Sequence, residues 1–95
     1  MIKYLFSVED VKAQCFGSVF CDVSEQSAIR AFGDAITLGK GNTPLETHPE
    51  DFILYCVGKF NDSIGQVSLP DGDNYKKVLC YGSDYTSLNT QSNES

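Results

Sequence analysis

Residues 24–38, SEQSAIRAFGDAITL, decide the fold of this chain. Ser24 is a favourable N-cap because its hydroxyl can accept a hydrogen bond from a free amide of the first turn. Glu25 adds negative charge at the positive end of the helix dipole, and Gly39 stands where a left-handed C-cap residue is expected. The stretch therefore predicts one long amphipathic helix, on which the other apolar runs must pack. Its apolar stripe has helical spacing and consists of Ala28, Ile29, Phe32, Ala35 and Ile36.

Apolar runs on either side of this helix alternate at the spacing of β-strands. Gly17-Ser18 interrupts the second run with a turn or bulge, and residues 61–65 form a hairpin loop that ends in glycine. We expect strands over 2–8, 13–23, 52–60, 66–69 and 75–81, with a polar break at 9–12. The order predicts an α+β fold, a mostly antiparallel sheet of four to five strands with one main helix packed on one face.

The run 52–60 is the strongest strand and is apolar on both faces, which is typical of a central strand. Because one helix can shield only one face of the sheet, the second face must be covered by loops or by another subunit. We therefore expect a homo-oligomer. Strict alternation places Phe52, Leu54, Cys56 and Phe60 on one face and Ile53, Tyr55 and Val57 on the other.

Length and charge limit the classes of function. A chain of 95 residues forms one domain, and residues 86–95 hold a single bulky apolar residue. Such a tail cannot offset its own ordering entropy, so we predict a single α+β domain over 1–85 and a disordered polar tail over 86–95. Seven basic against thirteen acidic residues leave a net charge of −6. This charge argues against a protein that simply coats nucleic acid through a basic groove.

The pattern also bears on location and on metals. No apolar run is long enough to span a bilayer, and the first residues lead straight into a strand without the segments of a cleaved signal. We expect a cytoplasmic protein without membrane contact.

Four cysteines, at positions 15, 21, 56 and 80, show no C-x-x-C spacing. They predict free thiols and no metal site, with a Cys15–Cys21 disulfide left open.

Six polar residues are candidates for a ligand-binding site. They are Arg30 and Asp34 on the helix, Asp10 and Lys12 at the end of the first strand, and His48 and Glu50 beside a proline. Arg30 offers a guanidinium fork to a phosphate or carboxylate, and His48 can act as a hydrogen-bond donor or base.

Each pair also has a purely structural interpretation. Arg30 and Asp34, spaced i, i+4, would form an exposed ion pair contributing under ~1 kcal/mol. Residues 48–51 would form a strand-entry turn, and Asp10 with Lys12 a turn pair. The structural interpretation is the better supported one for the helix pair and for His48. Six Phe and five Tyr exceed the needs of one small core, so a few could stack on bases.

Catalytic signatures are missing from the sequence. We find no phosphate-binding glycine loop, no G-x-S-x-G and no His-x-Glu with paired cysteines. The sequence therefore predicts a non-enzymatic protein with no catalytic residues and no cofactor.

Three blocks of sequence carry a resemblance: YLFSVEDVKA at 4–13, AIRAFGDA at 28–35, and HPEDFIL at 48–54 running on to GKFND at 58–62. In this order they resemble the small non-structural protein of gokushovirus-type microviruses, which are single-stranded DNA phages. The resemblance covers most of 4–65. It implies a phage protein made in the bacterial host cytoplasm, absent from the virion, and assigned to single-stranded DNA synthesis or DNA binding.

Two hypotheses follow from different classes. The first is a replication-accessory protein that contacts single-stranded DNA, or a host or phage replication protein, through a positive groove containing Arg30, Lys12 or Lys76-Lys77. The second is an anti-defence oligomer that sequesters a host nucleotide signal, or blocks a host protein, in an interface pocket where Arg30 or His48 meets phosphates. A third and simpler hypothesis is a purely structural adaptor that joins two other proteins. The resemblance favours the first.

Overall fold

The structure is a computed structural model that describes residues 1–70 and 75–85. The predicted tail over 86–95 lies outside the described residues. One 13-residue helix, α1, runs over Glu25–Thr37, and a single-turn helix, α2, over Pro44–Thr47 is followed by a 3-10 turn at Pro49–Asp51. The strands are β1 Ile2–Asp10, β2 Cys15–Phe16, β3 Phe20–Asp22, β4 Phe52–Asn61, β5 Gln66–Ser68 and β6 Lys77–Tyr81.

The strands form one antiparallel sheet in which β1 and β4 are central. β2 and β3 both pair with the outer edge of β1, while β5 and β6 both pair with the outer edge of β4. The predicted α+β class is confirmed. The sheet has six strands rather than four or five, because the apolar run of 13–23 splits around Gly17 into two short strands. The predicted break at 9–12 begins too early, since Glu9 and Asp10 still pair with β4.

Helix α1 begins as its sequence predicts and ends differently. The Ser24 side chain accepts a hydrogen bond from the amide of Ser27 at 3.1 Å. At the other end Leu38, with φ −103°, is the C-cap, and its N–H donates to the carbonyl of Asp34 at 2.8 Å. Gly39 is not a left-handed cap, because among the described glycines positive φ occurs only at Gly41 and Gly65.

The core lies between α1 and one face of the sheet. Its fully or nearly buried side chains are Phe6, Ala28, Phe32, Ile36, Leu54 and Cys56. The helical stripe is thus the buried one, although Ile29 is half-buried and Ala35 is exposed. Leu45 of α2 and Tyr85 of the helical residues 83–85 pack against the same core, so the described helical segments lie on one face of the sheet.

A bulge in β4 changes which residues share a face. Leu5 is opposite Gly58 whereas the next residue, Phe6, is opposite Cys56, so Val57 is an extra residue in β4. An extra residue reverses the alternation beyond it. Residues directly opposite in a sheet share a face, so Phe60, opposite Lys3, lies on the face away from α1. Its predicted place beside Leu54 and Cys56 is therefore wrong.

Cys15, Cys21 and Cys80 are free thiols, so Cys15 and Cys21 do not pair with each other. Cys15 is opposite Asp10 at one end of β1, and Cys21 is opposite Leu5 in its middle. Five residues of extended strand separate these positions, which is too far for a disulfide.

Tyr85, the last described residue, packs against the core. Its ring lies 6.0 Å from that of Phe32, and a Cβ placed on Gly33 would meet a ring atom of Tyr85 at 2.6 Å. Burial, with contributions from Cys80 and two aspartates, raises the pKa of Tyr85 to about 12 from an ordinary value of 10.0.

This raised pKa predicts a loss of stability at alkaline pH. Unfolded Tyr85 ionises near pH 10 while the folded residue stays neutral, so its contribution is complete below about pH 10 and lost as pH rises through about 12. We expect the urea midpoint of the wild type to fall more steeply over this window than that of Tyr85→Phe. Parallel curves for the two proteins would contradict the assignment.

Candidate functional site

The sheet face away from α1, here called the open face, carries exposed apolar side chains. The core residues of α1, together with Leu45 of α2 and Tyr85, pack on the other side. Phe16, Val67, Val78 and Tyr81 all share this face by register and are exposed. They are distributed over β2, β5 and β6, and large exposed apolar patches mark interaction sites in soluble proteins.

Two aromatic rings and two charged groups converge near the middle of this face. Phe16 is opposite Glu9 on one side of β1, and Tyr55 is opposite Ser7 on the other. The two rings approach to 5.1 Å between centroids at 60°. Lys76 Nζ lies 5.8 Å from the Phe16 centroid and 5.7 Å from that of Tyr55. We call Phe16, Tyr55, Lys76 and Glu9 the aromatic platform.

Glu9 holds the Tyr55 ring in place. The Tyr55 hydroxyl donates a hydrogen bond to Glu9 Oε1 at 2.9 Å. Burial, together with this hydrogen bond and the charge of Glu9, raises the pKa of Tyr55, so the hydroxyl remains a donor at neutral pH. The platform is therefore ordered by a hydrogen bond on one side and a cation over the rings on the other.

Lys76 and Lys77 lie on opposite faces of the sheet. Lys77 is opposite Cys56, and its Nζ lies 3.3 Å from each carboxylate oxygen of Glu25 at the start of α1. Lys76 points to the open face, and within 1–70 and 75–85 no carboxylate lies within 4.0 Å of its ammonium. The two lysines therefore do not form one positive groove.

Charge is distributed unevenly between the two faces. Among residues 1–70 and 75–85, the open face carries Lys3 and Lys76 against one strand carboxylate, Glu9, with Asp62 3.6 Å from Lys3 at the hairpin end. Asp10 and Asp22 fall on the helix side by register. Over these described residues the positive and negative charges of the open face balance.

The six predicted site residues lie in two places. Arg30 and Asp34 are exposed on α1, and the ion pairs of the described chain do not include one between them. The other four lie at one end of the sheet, where the amide of Val11 donates to the carbonyl of Asp51 at 2.9 Å. Asp10 and Lys12 thus lie at the same end of the sheet as His48 and Glu50, and Asp10 faces the helix side whereas its neighbour Glu9 faces the open side.

Within this end of the sheet the contacts are those of turns. Asp10 Oδ1 accepts from the amides of Lys12 and Ala13 at 3.1 Å. His48 Nδ1 lies 3.6 Å from Glu50 Oε1, and both side chains are at least half exposed. In the described residues no group of three or more His, Cys, Asp and Glu could hold a metal ion.

A cavity of about 370 Å³ opens on the helix side, at the start of α1. Its lining includes Tyr4, Gln26, Lys59 and Lys77, and neither Arg30 nor His48 reaches it.

The longest described helix, α1, has 13 residues, and none of the helices at 1–70 and 75–85 is long and apolar enough to cross a membrane.

Sequence reasoning missed the aromatic platform. Tyr55 was placed on the second face by its alternation, but Phe16 was assigned to no face and Glu9 to a turn. The alternation of Leu5, Ser7 and Glu9 is the sequence signal that could have identified Glu9, because it extends the predicted first strand to residue 9.

Comparison with known proteins gives one family. No curated protein and no solved structure matches the chain significantly. The family model described as Phage ORF5 protein matches residues 3–85, which extends past the point where the quoted blocks stop. The match covers most of the chain and includes every residue of the aromatic platform, and the chain therefore belongs to the Phage ORF5 protein family.

Proposed function

We propose that this phage protein is a non-enzymatic accessory factor that binds single-stranded DNA on its open face in the host cytoplasm. The observation that carries the proposal is Lys76, held over two adjacent aromatic rings on a face that no described helix covers. The resemblance to microvirus non-structural proteins gives the context of genome replication.

The physical basis is base stacking supported by one cation. Each base stacked on an aromatic ring contributes about 1–3 kcal/mol without regard to sequence. The Phe16 and Tyr55 rings offer such surfaces, and Tyr81 adds an exposed ring on the same face. The ammonium of Lys76 meets the phosphates that flank a stacked base.

This mode of binding is compatible with a net charge of −6. The affinity comes mainly from stacking, and only one or two phosphates are neutralised. For single strands the logarithm of the binding constant falls with the logarithm of salt by about 0.7 per neutralised phosphate. We therefore expect weak binding with a salt slope of about −1, shallower than that of proteins with a basic groove.

The adjacent lysines offer a matched test. We expect Lys76→Gln to weaken binding of a fluorescent 12-base DNA strand about fivefold in 50 mM salt, because it removes the cation from the rings. Lys77→Gln makes the same change in charge on the other face, and we expect less than a twofold effect. Fluorescence polarisation measures both.

Two outcomes would overturn the proposal. One is equal weakening by the two substitutions, which would mean that only net charge matters. The other is a stable dimer by light scattering that binds no DNA and dissociates on Phe16→Ser, which would assign the open face to a second copy.

The alternative of nucleotide-signal capture has a narrower basis. It requires a phosphate-facing cation in a pocket, and the helix-side cavity has Lys59 and Lys77 in its lining. Lys77 is already engaged by Glu25, so we place this function second. A thermal-melt panel of mononucleotides tests it, and a shift lost on Lys59→Gln but kept on Lys76→Gln would favour it.

A further inference from the structure

We infer that Glu9 makes the aromatic platform select guanine over thymine in single-stranded DNA. The inference rests on the proposed function and deepens it, since it assigns base preference to a residue of the same site. The observation behind it is a carboxylate beside two stacking rings, with one oxygen engaged and the other directed to no described donor.

The first step concerns the hydrogen-bonding state of Glu9. Its Oε1 accepts from the Tyr55 hydroxyl at 2.9 Å, and no hydrogen bond of the described chain reaches Oε2. An ionised carboxylate is purely an acceptor with about four lone-pair sites, so both oxygens retain capacity. The Tyr55 bond also restrains the carboxylate, which reduces the ordering cost of binding.

The second step concerns position. Glu9 and Phe16 are directly opposite in β1 and β2, and the Tyr55 ring lies 5.1 Å from that of Phe16. Because the two rings are inclined by 60°, a base stacks on one of them and directs its edge toward the rim of that ring. Glu9 stands at that rim on β1, between the two strands that carry the rings. The edge of the base therefore meets an acceptor pair.

The third step is the chemistry of the base edges. Single-stranded bases are read on their Watson–Crick edges. Guanine presents two adjacent donors there, N1–H and N2–H, which match the two oxygens of a carboxylate in a bidentate pair. Cytosine and adenine each present one amino group, whereas thymine presents one N–H between two carbonyl oxygens that a carboxylate repels. The expected order is guanine, then cytosine or adenine, then thymine.

The test uses a 12-base strand of thymine and a second strand in which every third thymine is replaced by guanine. Isolated guanines at this spacing prevent four-stranded structures from complicating the result. We expect the wild type to bind the guanine-containing strand at least about fivefold more tightly, the lower range for one bidentate base contact.

Glu9→Gln should reduce this ratio to near one while keeping, or raising, affinity for the thymine strand, because it removes a negative charge near phosphates. Glu25→Gln makes the same charge change at the start of α1, on the other side of the sheet, and the ratio should stay unchanged. Tyr55→Phe keeps the ring and should lower the ratio by releasing the carboxylate.

The outcomes separate the two proposals. If neither strand binds, the proposed function fails. If both strands bind equally to the wild type, the platform binds DNA but the base selection is overturned. If the ratio persists in Glu9→Gln, the selection exists and its assignment to Glu9 is overturned.

Discussion

Phe6→Ala is expected to cost about 3–5 kcal/mol, which is a large part of the stability of a small domain. Phe6 has no exposed surface, and its ring lies 6.4 Å from that of Tyr4 and 5.6 Å from that of Phe20. It is opposite Cys56 on the central strand pair. Truncation opens a cavity at the point where both central strands meet α1, and a domain of this size has a total stability of about 5–10 kcal/mol.

Urea unfolding followed by circular dichroism measures this loss. Phe16→Ala is the matched control, because it deletes the same atoms from a ring that is 39% exposed on the open face. We expect the control to lose less than about 1.5 kcal/mol. A loss of under 1 kcal/mol for Phe6→Ala would mean that the core is not centred where the structure places it.

Gly82→Ala is expected to cost about 3 kcal/mol, which is near the upper range for overpacking. A Cβ at residue 82 would overlap the carbonyl of Pro49 and lie 3.1 Å from the carbonyl oxygen of Phe52. Both groups are fixed, because Gly82 N–H donates to the Phe52 carbonyl at 2.8 Å and Phe52 N–H donates to Pro49. The added methyl must therefore separate the end of β6 from the 3-10 turn.

Gly17→Ala is the control for this substitution. The nearest atom to a Cβ there is the Val8 carbonyl oxygen at 3.7 Å, which is an ordinary contact. We expect a change within about 0.5 kcal/mol for the control. Equal urea midpoints for the two variants would show that β6 and the turn can move apart freely.

Local signals in the sequence were sufficient for the elements whose ends are set by neighbouring residues. The Ser24 cap and the apolar stripe of residues 24–38 place α1, because capping and amphipathic spacing act within one or two turns. The alternation in 52–60 identifies the central strand with both faces apolar. The α+β class and the uncovered second face follow from these two elements.

Other features depend on contacts between distant residues. The Val57 bulge moves Phe60 to the open face, and it arises from pairing with β1 rather than from any local turn signal. Gly39 was expected to adopt a left-handed conformation, yet its lack of a side chain makes room for Glu46. The carboxylate of Glu46 accepts hydrogen bonds from the amides of Asn42 and Thr43 ahead of α2.

The sequence by itself determined the helix and the central strand, because each is encoded in residues close along the chain. It also determined that one main helix cannot shield both faces of the sheet. Tertiary structure alone decided which side chains meet on that face. Phe16, Tyr55 and Lys76 lie 21 or more positions apart in the sequence, and strand pairing across β1 and β4 brings them within 6 Å. The register of those strands, and not composition or periodicity, creates the aromatic platform.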